Sequence, residues 1–111
     1  MAEKITLSLA EIESRSAAVL IAHGAGDWQA ATVARAVARA EETGNIICGL
    51  YYLESYCKQL ASGRVKGQVD PEVIQSRPGA VTVDAKFGFA QPAFARGLPF
   101  AVAAEIGRAH V

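Results

Sequence analysis

The order of patterns along the chain predicts an α+β domain: a three-helix N-terminal portion, a short β-hairpin or pair of strands, and one final helix. Three observations carry this. Apolar residues at helical spacing fill residues 9–62 and are interrupted by Gly24-Ala25-Gly26, Gly44 and Gly63. Two β-prone runs, 72–75 and 80–84, flank Pro78-Gly79, with Pro suited to the second and Gly to the third position of a type II turn. Pro92 then stands where the first turn of a closing helix tolerates it.

The first helix is predicted over 9–23. Ser8-Leu9-Ala10-Glu11 has capping-box spacing, with Ser8 serving an orphan amide and Glu11 reaching back. Leu9, Ile12, Ser16, Val19, Leu20 and His23 mark one face. His23, beside the Gly24 stop, reads as a cap or a half-buried packing residue. Asp27 is placed as the cap of a second helix over 28–43. Its face of Ala30, Val33, Ala34, Val37 and Ala38 is small enough for a neighbouring helix to come close. Arg35, Arg39, Glu41 and Glu42 read as a solvated face with possible ion pairs.

A third helix opens around Gly49 and runs over 50–62. Leu50, Leu53, Cys57 and Leu60 form its packing stripe. Cys48, Tyr52 and Tyr56, at i, i+4 and i+8, would stack a thiol and two phenols along another face. For an arbitrary helix such a row is simply more core. In the final helix, starting near Gln91, Pro99 removes a hydrogen bond, so a kink or break is expected near Gly97.

A chain of 111 residues, 51% hydrophobic, is long enough for one core. A formal net charge of +0 with no basic face argues against nucleic acid or an anionic membrane as partner. No apolar run reaches spanning length and the N-terminus lacks signal-peptide order, so the cytoplasm is the default location. Two cysteines are too few for a disulfide scaffold or a closed metal site.

An ordered set of residues resembles the N-terminal part of the type-2 malate/L-lactate dehydrogenase family. The set comprises Gly49 and Tyr56, Leu60-Ala61-Ser62-Gly63, Pro71-Glu72-Val73, Val83-Asp84 and Gly88-Phe89-Ala90-Gln91-Pro92. That family includes ureidoglycolate, sulfolactate and diketogulonate dehydrogenases and Δ1-piperideine-2-carboxylate reductases. The resemblance implies a fragment of a larger, non-Rossmann oxidoreductase fold. Such an enzyme uses NAD or NADP to reduce a 2-oxo acid or cyclic imino acid and works as a homodimer. The cofactor-binding residues would lie largely outside this chain.

The family's active-site helix begins Ser-His-Gly, with an Arg and then a Tyr further on; these positions are Ile47, Cys48, Gly49, Tyr52 and Tyr56 here. Only the glycine and the last tyrosine are kept. The resemblance makes Cys48, Tyr52 and Tyr56 the catalytic candidates, in the places of a proton donor, a carboxylate clamp and a pocket phenol. A thiol can donate a proton, though it matches neutral pH less well than imidazole. A phenol can hydrogen-bond a carboxylate, without the bidentate pairing of Arg.

Residues 1–105 are thus expected to be the family-like domain. The tail Ile106-Gly107-Arg108-Ala109-His110-Val111 departs from the family pattern. It coincides with the peptide that a common short-read sequencing adapter encodes in one frame before a stop codon. It is therefore expected to be adapter read-through on an incomplete gene, which leaves His110 no catalytic role. Two other classes are alternatives: a non-catalytic paralogue acting in binding or subunit interaction, and a three-helix DNA-binding module, which the neutral charge disfavours.

Overall fold

A computed structural model of the chain describes residues 5–109, with side chains described through Glu105. The expected read-through tail falls mostly outside them: the side chains of 106–109 and all of 110–111 are not described. The elements are α1 (Leu9–Ala22), α2 (Asp27–Glu42), a single 3₁₀ turn (Ile46–Cys48), α3 (Leu50–Ser62), β1 (Glu72–Arg77), β2 (Ala80–Asp84) and α4 (Ala90–Ala109). The α+β order expected from the sequence is present.

Helix α1 has the first half of its capping box: the Glu11 amide donates to Ser8 Oγ at 3.1 Å, while Glu11 Oε1 accepts from the Ser8 hydroxyl, at 3.3 Å, in place of the Ser8 amide. Its end is closed by His23, an exposed C-cap whose ring Nδ1 lies 2.7 Å from the Val19 carbonyl oxygen. The small face of α2 packs against α1, burying Ala30, Val33, Ala34 and Val37 with Leu20. Each large apolar side chain sealed in this way contributes about 1.5–3 kcal/mol. Asp27 is not the cap of α2. Gly26 holds that position and Asp27 is the first helical residue, where its charge suits the positive end of the helix dipole.

From α3 the stripe Leu53, Cys57 and Leu60 completes the core, together with Phe89 ahead of α4; Leu50, expected in that stripe, is exposed. Helix α3 ends at Gly63, whose φ of 78° is left-handed backbone that glycine adopts without a Cβ clash.

The hairpin pairs Arg77 with Ala80 across Pro78-Gly79, and Gly79 has the φ of 79° that a type II turn needs at its third position. Pairing runs to the turn itself, so β1 is longer than the run 72–75 predicts. A bulge between Val73 and Gln75 leaves Ile74 outside the register and exposed.

Of the kink or break expected near Gly97, the break is absent: α4 is one element through Pro99. Gly97 serves close packing instead. A Cβ there would stand 2.7 Å from Val83 Cγ2, so the glycine is what lets β2 lie on α4. No hairpin residue belongs to the main core. The hairpin and α4 therefore form a thin second layer on which Phe94 (69%), Phe100, Val102 and Leu98 stay exposed. Among the contacts that join the layers, the Arg96 guanidinium lies 4.1 Å over the Trp28 ring and bonds Asp70 Oδ1 at 2.8–2.9 Å.

Candidate functional site

The start of α3 is built by a residue far along α2. Gly49, the N-cap, offers no side chain, and the first free amide of α3, at Leu50, donates to Glu41 Oε1 at 2.9 Å. Glu41 is thus a long-range cap that also brings negative charge to the helix's positive end. The sequence pattern puts it on a solvated face, because a cap supplied from nine residues away leaves no local pattern. It also explains Gly49: a Cβ at that position would sit 2.6 Å from Glu41 Oε1 and 2.9 Å from Cδ.

Capping at this point decides where the expected row of side chains begins. Cys48 lies in the 3₁₀ turn ahead of α3, and Gly49, with φ −95° and ψ −132°, departs from helical geometry between them. The i, i+4, i+8 ladder therefore does not extend to Cys48, whose thiol is exposed. Tyr52 and Tyr56 do share a face. Their rings stack at 6.2 Å, with Tyr51 edge-on to Tyr52 at 5.8 Å and Tyr56 edge-on to Phe89 at 5.3 Å. Tyr52 is exposed, whereas Tyr56 is partly buried against the core.

The Tyr56 hydroxyl receives a hydrogen bond from Gln91 Nε2 at 3.4 Å, across 35 positions of sequence. This contact joins two of the stretches that carry the family resemblance, the Tyr-bearing helix and Gly88-Phe89-Ala90-Gln91-Pro92. Gln91 is not among the catalytic candidates of the sequence; its place in that motif is the signal that points to it. It also lines a groove of about 540 Å³ between α2 and α4, with Thr32, Arg35, Ala36, Arg39, Phe94 and Leu98 among the walls. Cys48, Tyr52 and Tyr56 do not line that groove.

Burial in the core raises the Cys57 thiol above its ordinary value. No cluster of three or more potential metal ligands occurs among the described residues. Nor, among them, is any helix long and apolar enough to cross a membrane. A nicotinamide dinucleotide would need a cradle for its pyrophosphate, and the N-terminus of α3 does not fit one. Its leading amide is already bonded to Glu41, and that carboxylate would repel phosphate.

The sequence profile of malate/L-lactate dehydrogenases matches residues 7–109. The Δ1-pyrroline-2-carboxylate reductase of Ancylobacter novellus is 38% identical over 109 residues, covering 96% of this chain and 32% of that protein. The (2R)-3-sulfolactate dehydrogenase (NADP(+)) of Chromohalobacter salexigens is 38% identical over 103 residues, covering 91% and 31%. The solved Δ1-piperideine-2-carboxylate reductase of Pseudomonas syringae pvar. tomato superposes with a TM-score of 0.87 at 29% identity, over 94% of this chain and 31% of that one. The malate dehydrogenase of Pyrococcus horikoshii OT3, at 23% identity and a TM-score of 0.79, shares the fold over 96% of this chain and 33% of its own. The chain spans about a third of the length of these relatives.

Proposed function

The chain belongs to the malate/L-lactate dehydrogenase family, and from that we propose that it is the N-terminal, substrate-side part of an NAD(P)-dependent oxidoreductase. Its substrate is a cyclic imino acid or a 2-oxo acid, with the imino acid favoured because two of the relatives reduce Δ1-pyrroline- and Δ1-piperideine-2-carboxylate by name. The observation that supports this most directly is the Gln91–Tyr56 hydrogen bond. It holds a phenol of α3 at the start of α4 and so unites the two family-like stretches in one place.

In this reading Tyr56 positions substrate, Tyr52 offers a neutral phenol where the family has a charged clamp, and Cys48 delivers the proton. The bound nicotinamide supplies hydride. It is held by the part of the longer fold beyond this segment, since the α3 terminus rejects its phosphates. The complete enzyme is a homodimer, in keeping with the apolar side chains that α4 leaves exposed. The 111-residue chain alone is inactive.

The test is reduction of Δ1-pyrroline-2-carboxylate and of pyruvate, with NADH and NADPH in turn, by a chain of the relatives' length that carries this segment. Turnover with either substrate is expected. Cys48→Ser should keep cofactor binding and cut kcat by about 10²–10⁴, the usual share of general acid catalysis. Unchanged kcat in Cys48→Ala would remove the thiol from the mechanism. NADPH binding without turnover of any imino or 2-oxo acid would instead support the non-catalytic, subunit-interaction reading, which the replacement of His and Arg by Cys48 and Tyr52 favours.

A further inference from the structure

Packing holds the Tyr56 ring from two sides. Tyr52 stacks on it at 6.2 Å, and the buried Phe89 meets it edge-on at 5.3 Å. These contacts set where the ring lies, but not where its hydroxyl proton points, because an O–H rotor settles on its hydrogen-bond partners. The phenolic oxygen carries one proton and accepts through its lone pairs. Gln91 Nε2 donates to it at 3.4 Å, so the side facing the amide is an acceptor and the proton is turned the other way. Among the described residues no protein acceptor takes that proton.

The backbone that carries the amide is itself fixed. Gln91 lies in the first turn of α4, between Phe89, which packs on the same ring, and Pro92, whose side chain is fully buried. One short stretch, Phe89-Ala90-Gln91-Pro92, thus sets both the place of the ring and the sense of its hydroxyl. We propose that Gln91 is a positioning residue, an inference that rests on the oxidoreductase reading: acting through Tyr56, it makes that phenol a hydrogen-bond donor to an acceptor atom of the substrate. The direction matters in this chain because Tyr52 brings a second neutral phenol, and no charge, to the same helix face. Aligned donors there have to supply what a charge-assisted bond would.

Two substitutions separate direction from packing. Gln91→Met keeps the length of the side chain and loses the donor. Gln91→Glu keeps the shape and replaces the donor by an acceptor, which draws the Tyr56 proton to itself and away from substrate. At 3.4 Å the bond lies at the long end of its range, so its consequence is directional more than energetic. Neither variant should lower the melting temperature of the 111-residue chain by more than about 4 °C.

The experiment is steady-state reduction of Δ1-pyrroline-2-carboxylate with NADPH by a chain of the relatives' length that carries this segment. Gln91→Met should raise KM about threefold to tenfold, the share of one hydrogen bond, with kcat held within about twofold. Gln91→Glu should raise KM further than Gln91→Met. In a Tyr56→Phe background the cost of Gln91→Met should vanish, since the amide then has no hydroxyl to orient. The control Gln75→Met, on the exposed strand β1, should move neither constant. The contact is read separately by NMR of the isotope-labelled 111-residue chain. There the Gln91 side-chain amide signals, identified by their loss in Gln91→Met, should shift in Tyr56→Phe. An unmoved KM in Gln91→Met, a Gln91→Glu no worse than Gln91→Met, a full cost retained without the Tyr56 hydroxyl, or unshifted amide signals would each overturn the proposal. If the enzyme turns over imino acid with KM unmoved in Gln91→Met, the positioning fails while the function stands. If the longer chain reduces nothing, the oxidoreductase reading fails, and shifted amide signals still uphold the direction of the Gln91–Tyr56 bond.

Discussion

Replacing Glu41 by Ala removes the acceptor that holds the Leu50 amide and frees the N-terminus of α3 to fray towards Tyr52. Loss of a capping acceptor costs about 0.5–2 kcal/mol, and loss of a negative charge at that end adds about 0.3–1 kcal/mol. The bond is exposed, so the lower halves of both ranges apply, giving about 1–2 kcal/mol. In a domain of this size that lowers the melting temperature by roughly 4–10 °C. Glu41→Gln keeps an oxygen in place and should recover more than half of the loss. Gly49→Ala attacks the same cap from the other side, because its Cβ would occupy the space of the Glu41 carboxylate, 2.6 Å from Oε1. The two changes should therefore be non-additive: once the cap is gone, the second removes little more. Thermal unfolding by circular dichroism measures the sum, and amide exchange at Leu50 reports the cap itself, rising in both variants. A neutral Glu41→Ala, or a double variant whose losses simply add, would refute the long-range cap.

Gly67→Ala should destabilise by about 1–3 kcal/mol, as overpacking does. Two of the three atoms its Cβ would meet are backbone, Ala25 Cα at 2.8 Å and Gly24 O at 2.9 Å, and cannot rotate away; an unshifted urea midpoint would contradict this. Of the two cysteines, exposed Cys48 should be alkylated by iodoacetamide in the folded chain while buried Cys57 reacts only on unfolding; equal rates would mean the core is open. Since the folded state raises the Cys57 pKa, its neutral thiol favours folding fully below the ordinary thiol value. That contribution is lost as pH rises through the raised value, so stability should fall on the alkaline side and Cys57→Ala should flatten the decline. Deleting residues 106–111 should change the unfolding free energy by no more than about 0.5 kcal/mol, the scatter of surface changes; a larger loss would mark the tail as native.

Sequence by itself determined the features whose causes are local. The Ser8 cap, the helix stops at Gly24 and Gly63 and the Pro78-Gly79 turn each depend on a few neighbouring residues and their permitted dihedrals, and each stands where its pattern put it. The small face of α2 was equally legible, since 3.6-residue spacing states which side will be buried before it is known against what. Tertiary structure alone decided the features whose causes are distant. Glu41 caps a helix it does not belong to, so α3 begins after Cys48 and the thiol leaves the phenol row. Pro99 suggests a kink or break near Gly97, yet that glycine is required by the approach of Val83 from β2. Gln91 reaches Tyr56, and Arg35 and Arg39 share its groove, only because α4 returns across α2. A hydrogen bond or close contact between residues tens of positions apart has no period along the chain, and only the folded backbone specifies it.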